Sequence, residues 1–241
     1  MSPDPAQLDP AELTILQGRL EALDARGRLA WAQETYGAGL VFTSAFGPGG
    51  GALLHLWSEV CPGRPVHFLD TGFLFDETLA YREALADRLG LEVIVLRPKL
   101  PAGEFLSRHG LTLYHDNPDA CCQHNKVEPL QRALDGARAW VSGLRRSQGA
   151  ERANTPVLLL TDGPAKVHPL ADWSARDIYQ HLTAHNLPEH PLFQQGYTSV
   201  GCTHCTRPPL DPSDERSGRW AGTTKTECGI HTFLKPRAVE G

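Results

Sequence analysis

Two cysteine pairs stand far apart in the chain, Cys121-Cys122 and Cys202-Thr-His-Cys205. Four thiolates in two pairs can close one metal or iron–sulfur site, and any fold that uses them so must bring both segments together. From spacing alone zinc is the commoner occupant. A thioredoxin-type redox pair at Cys202–Cys205 is the other reading, weakened by Pro208-Pro209 and by the lack of a strand signal nearby. A further cysteine, Cys228, stands in Glu227-Cys-Gly-Ile-His231, where Arg216, Arg219 and Lys225 precede it. Cations lower a thiol pKa, so this late thiol is placed to react while the other four hold something. Cys61 lies between Leu53-Leu-His-Leu-Trp57 and Pro62-Gly63. It reads as a buried or helix-end thiol.

The N-terminus, Met-Ser-Pro-Asp-Pro-Ala-Gln, has no basic start and no apolar stretch, so no secretory signal is expected. Six cysteines without such a signal point to a reducing compartment, the cytoplasm, and away from disulfides. No apolar run is long enough for a membrane span. The formal net charge of −5 argues against a nucleic-acid surface and leaves room for a local basic pocket. At 241 residues there is enough chain for one sizeable core and an appended tail.

Spaced Leu, Ile and Trp over 12–37 suggest one or two amphipathic helices. Strands are expected at 39–43, 65–69, 91–96, 138–142 and 157–161. Helices are expected at 52–60 and 76–90, the latter with Asp76 as candidate cap and Gly90 as stop. Another begins at Asn117-Pro118 and carries Cys121 and Cys122, with Lys126 on the face of Cys122; Pro129 should break or restart it. Strands alternating with helices imply an α/β fold, a doubly wound, mostly parallel sheet. Ligands of such sheets lie beyond the C-terminal strand ends. Three loops follow strands directly, Thr43–Gly51, Asp70–Gly72 and Ser142–Gln148, and are expected to share one crevice. Beyond about 187 the pattern decays, and the tail from about 210 reads as irregular or mobile. The division is a helical segment over 1–37, an α/β domain over 38–209 that carries both cysteine pairs, and a mobile tail over 210–241 that carries Cys228.

Each loop has a bland reading as well. The small residues of Ser44-Ala-Phe-Gly-Pro-Gly-Gly-Gly51 let backbone N–H groups approach an anion, but an ordinary tight turn is about as frequent. No Gly-Lys-Ser/Thr follows, so this is not a Walker A loop. Asp70 suits a ligand or a turn that bonds its own backbone. Arg145, Arg146 and Arg152 suit phosphate or sulfate oxygens, or solvent.

Taken together, these segments resemble the assimilatory sulfonucleotide reductases, which act on adenylyl sulfate (APS) or phosphoadenylyl sulfate (PAPS). The likeness runs from about 38 to 232. It rests on the Ser44–Gly47 loop with Leu54-His-Leu56, on Leu69-Asp-Thr-Gly72 and on Gly143-Leu-Arg-Arg-Ser-Gln148. It rests further on Cys121-Cys122 with Lys126, on Cys202-Thr-His-Cys205-Thr-Arg-Pro, and on Glu227-Cys-Gly-Ile-His231. The resemblance implies an adenine-nucleotide α-hydrolase-like fold. It implies a 4Fe–4S cluster on Cys121, Cys122, Cys202 and Cys205, and Cys228 as the nucleophile. Thr43, Ser44 and Gly47, with Leu69, Asp70, Thr71 and Gly72, are then expected at the adenosine, and Gly143 in the substrate site. Lys126, Arg152, Arg216, Arg219 and His231 are expected around the phosphosulfate. The implied reaction is thioredoxin- or glutaredoxin-dependent reduction of APS to sulfite and AMP through an S-sulfocysteine, a step in sulfate assimilation toward cysteine. A homo-oligomer is compatible with it.

One departure favours the neighbouring activity: the first loop lacks the Ser-Gly-Ala-Glu-Asp pattern of many APS reductases and looks PAPS-type. A cluster-containing PAPS reductase is therefore the nearest alternative. An ATP pyrophosphatase or tRNA-thiolating enzyme would show Ser-Gly-Gly-x-Asp-Ser after the first strand, which this chain lacks. A zinc-binding interaction module leaves Cys228 and its cations unexplained.

Overall fold

In the computed structural model, which describes residues 4–211 and 214–237, the strand signals assemble into one sheet in the order β3-β2-β1-β4-β6-β5. The strands are β1 (Leu40–Ser44), β2 (Val66–Leu69), β3 (Val93–Leu96), β4 (Ala139–Val141), β5 (Leu158–Leu159) and β6 (Ala165–Val167). All neighbours pair in parallel except β5, which runs antiparallel to β6 at one edge. Thr43 stands opposite His67, and Phe42 opposite Val141. The expected parallel α/β sheet is thus present. The 157–161 signal shortens to the edge strand β5, and β6, which sequence reading missed, is the parallel neighbour of β4. Three residues with Lys166 at the centre offered no periodicity to find.

The helices are α1 (Pro10–Ala22), α2 (Ala25–Tyr36), α3 (Gly50–Val60), α4 (Asp76–Leu89) and α5 (Ala102–His109). After them come α6 (Leu113–Asp116), α7 (Pro118–Cys122), α8 (Glu128–Ala133) and α9 (Ala175–Ala184). Asp9 caps α1 in a reciprocal box with Glu12. Asp24 caps α2. Asp76 is not the cap of α4: Phe75 holds that place, and Asp76 adds negative charge to the first turn, where the helix dipole favours it. Gly90 ends α4 at φ 61°, the left-handed stop expected. Gly51 is a packing glycine, because a Cβ there would stand 2.9 Å from Tyr81 Oη on α4 and 3.0 Å from Leu182 Cδ2 on α9.

The main core lies between α2, α3 and the sheet, around the fully buried Leu29, Phe42, Leu54, Trp57 and Phe68. Burying each such side chain contributes roughly 1.5–3 kcal/mol before ordering costs. Leu13 and Leu20 of α1 belong to the same core. The helical N-terminus is therefore packed into the sheet domain rather than appended to it. Arg28 locks the joint: its guanidinium donates to Asp172 Oδ1 and Oδ2 at 2.6 and 2.8 Å and to the carbonyls of Leu20, Glu21 and Pro169. Cys61 caps the C-terminal end of α3, and burial pushes its thiol up to about 11. It is an inert thiol.

No helix or strand forms in 214–237, as the irregular tail predicts. The segment is nonetheless docked. Thr206 bridges Arg219, Thr161 bridges Pro236, and Lys166 Nζ donates to the carbonyls of His231 and Leu234 at 2.9 and 3.3 Å. The parts of the expected tail at 212–213 and 238–241, and residues 1–3 of the N-terminal segment, lie outside the described residues.

His168 and His190 are both buried, and burial pushes each down to about 4. The unfolded chain holds these protons below about 6.5, whereas the folded chain refuses them until about 4. Stability is therefore full above pH 6.5 and falls as the pH drops toward 4. Urea midpoints measured across that range should decline steadily, and a flat profile would contradict the burial of these rings.

Candidate active site

Phe46 sets the first wall of the site. It follows β1 at a φ of 48°, a conformation rarely held by a bulky residue. The ring is fully buried, edge-on to Phe68 at 5.6 Å. Ser44 Oγ accepts the Phe46 N–H at 3.1 Å. With the aromatic ring anchored in the core, the backbone of 47–50 faces outward into a cavity of about 220 Å³. The loops after β1 and β4 both line it, as do Leu69 at the end of β2 and Thr71 beyond it. The expected convergence of three strand-end loops is present.

Placement within these loops is uneven. Thr43, Ser44, Gly47 and Gly143 line the cavity. Thr43 Oγ1 already accepts the Trp140 indole N–H at 2.8 Å. Thr71 Oγ1 lies 3.3 Å from Cys202 Sγ, so its hydroxyl belongs to the cysteine nest. Asp70 and Gly72 are not on the cavity lining. Asp70 Oδ1 accepts the Gly72 N–H at 3.0 Å, and its other oxygen faces Arg97 at 3.4 Å, so the bland turn reading describes them. Of the three arginines after β4, Arg145 and Arg152 line the cavity. Arg146 turns away to the Thr155 carbonyl and Glu21.

The tail supplies the opposite wall. Arg216, Arg219, Cys228, Ile230 and His231 face the same cavity. Glu227 joins the two walls, accepting from Arg152 Nε at 2.6 Å and from an Arg216 terminal nitrogen at 3.1 Å. Burial would raise the Glu227 pKa, but the Arg152 bond and the Arg216 charge hold it below the usual carboxylate range. Arg145 is paired in the same way, with Glu215 at 2.7 and 3.3 Å. Trp220 gathers three cations over one buried indole: Arg219 at 4.7 Å, Lys225 at 5.6 Å and Arg216 at 5.7 Å from the ring centre. His231 stacks on Trp140, with ring centres 5.3 Å apart. Burial, then Arg152, holds it neutral, and its Nδ1 has no hydrogen-bond partner among the described residues. Gly201 leaves room for the Arg219 guanidinium, which a Cβ there would strike. Sequence reading missed Glu215, Glu227, Trp220 and the Thr198–Gly201 stretch of the lining. Only the Glu-Cys and Arg-Trp neighbourhoods hinted at the first three.

The cysteines come together as the two pairs require. Cys122, Cys202 and Cys205 pack with Cys228 and Trp220 in one buried cluster, flanked by Phe73 and Ile230. Asn117 caps α7 and Pro118 opens it, as expected. The helix then widens into a π-turn over Gln123–Val127 and restarts at α8, with Pro129 in its first turn. Asn125 Nδ2 donates to the Cys121 carbonyl at 3.0 Å and approaches Cys121 Sγ at 3.6 Å. Burial pushes Cys121, Cys122 and Cys205 up to about 11, with the Lys126 charge pulling the other way. Lys126 lies buried beside them; burial opposes its charge, but Cys202, Cys228 and Cys122 raise its pKa. Among the described residues no three cysteine sulfurs lie within 4.8 Å of one another, since the one such His/Cys/Asp/Glu set is histidine-only. Four buried thiols from two segments form a donor set that a zinc ion and an iron–sulfur cluster both accept.

The phosphoadenosine phosphosulfate reductase domain model matches residues 39–208. The chain is 42% identical to an adenosine 5′-phosphosulfate reductase of Streptomyces coelicolor, over 88% of this chain and 90% of that one. It is 41% identical to adenosine 5′-phosphosulfate reductase 2 of Bacillus subtilis, over 88% and 91%. Among solved structures it resembles the phosphoadenylyl-sulfate reductase of Candida auris in its phosphate complex, with a TM-score of 0.74 and 29% identity over 83% of this chain and 98% of that one. Candida glabrata FMN adenylyltransferase, at 17% identity and a TM-score of 0.57, shares the fold alone.

Glu227 holds the Cys228 segment shut through two charged hydrogen bonds. Removing both should cost the closed form about 2 kcal/mol, roughly a 30-fold rise in opening. Glu227→Ala should therefore speed modification of Cys228 by a bulky maleimide, read by mass spectrometry. An unchanged rate would show that the tail is held elsewhere.

Proposed function

The chain belongs to the phosphoadenosine phosphosulfate reductase domain family, and from that premise we propose that it reduces adenosine 5′-phosphosulfate to sulfite and AMP, with a thioredoxin- or glutaredoxin-type dithiol as reductant. The observation that supports this most is the position of Cys228. A tail thiol lines the strand-end cavity together with Lys126, Arg152, Arg216 and Arg219.

The nucleotide occupies the cleft between the β1 and β4 loops, with its adenosine against the backbone of 43–50 and Gly143. The phosphosulfate faces the cations. Guanidinium forks bind sulfate and phosphate oxygens and stabilise the charge that grows on the departing phosphate. To receive it, Arg152 and Arg216 exchange Glu227 for the substrate anion. His231, neutral and unpartnered at Nδ1, orients one oxygen. The Cys228 thiolate attacks the sulfur atom; the new S–S bond forms as the S–O bond to AMP breaks, leaving S-sulfocysteine. A thiolate of the reductant then attacks the Cys228 sulfur and sulfite leaves. The resulting mixed disulfide is resolved by the reductant's second thiol, and the two electrons come from that dithiol. With Cys228 only 8% exposed, the tail must open between the half-reactions.

A 4Fe–4S cluster fits the donor set, and Cys121, Cys122, Cys202 and Cys205 would hold it. When bound it supplies a fixed charge beside the site that tunes the electrostatics without carrying the reducing electrons. The buried ammonium of Lys126, which interacts with Cys202, Cys122 and Cys228 alike, would couple the nest to the site. Cluster-bearing thiols suit a reducing compartment, and the cytoplasm is one. No helix among the described residues is long and apolar enough to cross a membrane.

PAPS is the second reading, favoured by the Ser44-Ala-Phe-Gly loop and by the likeness to the Candida auris enzyme. Turnover of the two nucleotides under one reductant separates them; the APS reading requires the higher kcat/KM with APS. Cys228→Ser should abolish sulfite release yet keep nucleotide binding, and sulfite formed at the normal rate by that variant would refute the nucleophile. Cys202→Ser should lose iron and activity together. Full iron content with full rate would mean that the ligand set is wrong.

A further inference from the structure

Away from the cleft, helices α3 and α9 press three histidines together: His55 on α3, His181 on α9, and His185, the residue that caps α9. None of the three lines the catalytic cavity. One ligand nitrogen from each lies within 4.8 Å of the other two. His55 Nδ1 stands 3.1 Å from His181 Nε2. The rings crowd at centre-to-centre distances of 4.3, 4.5 and 5.1 Å.

We propose that His55, His181 and His185 form a binding site for a divalent transition-metal ion of the zinc class. Nitrogens at about 2.0–2.1 Å from a tetrahedral zinc are roughly 3.4 Å apart, close to the His55–His181 separation. Imidazole donors select zinc, nickel and copper over magnesium or calcium. Without an ion, the facing nitrogens of His55 and His181 must share one proton as donor and acceptor. With an ion, both present lone pairs and the third ring completes a face.

The surroundings support the assignment. Glu59 Oε2 lies 3.5 Å from the same His55 Nδ1 and is held by Arg26, so a carboxylate oxygen stands ready as a fourth ligand or as acceptor for a bound water. Trp173 packs against His181 at 5.3 Å and walls one side. His185 is exposed, which leaves an entry path from solvent. A bound ion would pin α9 to α3, whose first turn borders the cleft. The site is independent of the proposed reduction and stands or falls separately.

Zinc ion titrated into the anaerobically purified holoprotein, against a chromogenic chelator, should show one equivalent bound. His185→Ala, an exposed change that spares the core, should weaken that binding by on the order of tenfold or more. Cys228→Ser should leave it unchanged. Imidazole nitrogen NMR of the wild-type protein should show three ring systems shifting on zinc addition. Binding that survives His185→Ala but falls with Cys228→Ser overturns the proposal, as do an absence of zinc binding and unmoved imidazole signals.

Discussion

The reversal of strand order beside β1 governs the rest of the molecule. From β1 the chain builds outward to β2 and β3 on one side, then returns to lay β4 and β6 on the other. The loops leaving β1 and β4 therefore diverge, and a crevice opens between them at the C-terminal strand ends. Gly47, Pro48 and Gly49 form one lip, and Gly143, Leu144, Arg145 and Gln148 the other. Phe46, held in the core at positive φ, keeps the first lip turned outward. Nothing in the tail could act if this crevice were not already built by the sheet.

Across that crevice the molecule gathers more cations than an uncharged cleft would tolerate. Arg145, Arg152, Arg216, Arg219 and Lys126 all line one cavity. Their mutual repulsion is offset by Glu215 and Glu227 and by the Trp220 face. The carboxylates come from the tail itself, on either side of Arg216 and next to Cys228. The same contacts that neutralise the arginines therefore also bring the thiol into place. In the proposed reaction the substrate's anionic group takes over the role that Glu227 fills here, which couples substrate entry to tail rearrangement.

Much of this was legible in the residues. The parallel sheet followed from β-branched and Leu-rich runs at 39–43, 65–69 and 91–96 alternating with helical spacing, and the paired cysteines demanded the contact between α7 and the 202–205 turn. The choice of centre was not legible from spacing, because zinc and a cluster use the same ligand types. Asp70 looked like a ligand since a strand-end carboxylate is chemically apt, but its own Gly72 N–H is closer. β6 escaped because three residues around a lysine carry no pattern, and the burial of Lys166 depends on carbonyls supplied by a tail more than sixty residues later. Tail docking as a whole was hidden for the same reason. Pro- and Gly-rich sequence reports the lack of helix or strand, while docking comes from long-range pairs such as Glu227 with Arg152.

Everything chemical in this account passes through the sulfur of Cys228. Its most direct test is intact and peptide mass spectrometry of the protein mixed with adenosine 5′-phosphosulfate in the absence of any thiol reductant. One SO3 group should appear on the peptide holding Cys228, in step with release of one AMP per chain, and should disappear when a reduced dithiol protein is added. AMP released with no adduct, or an adduct mapped to Cys61 or to any cysteine of the nest, would contradict it.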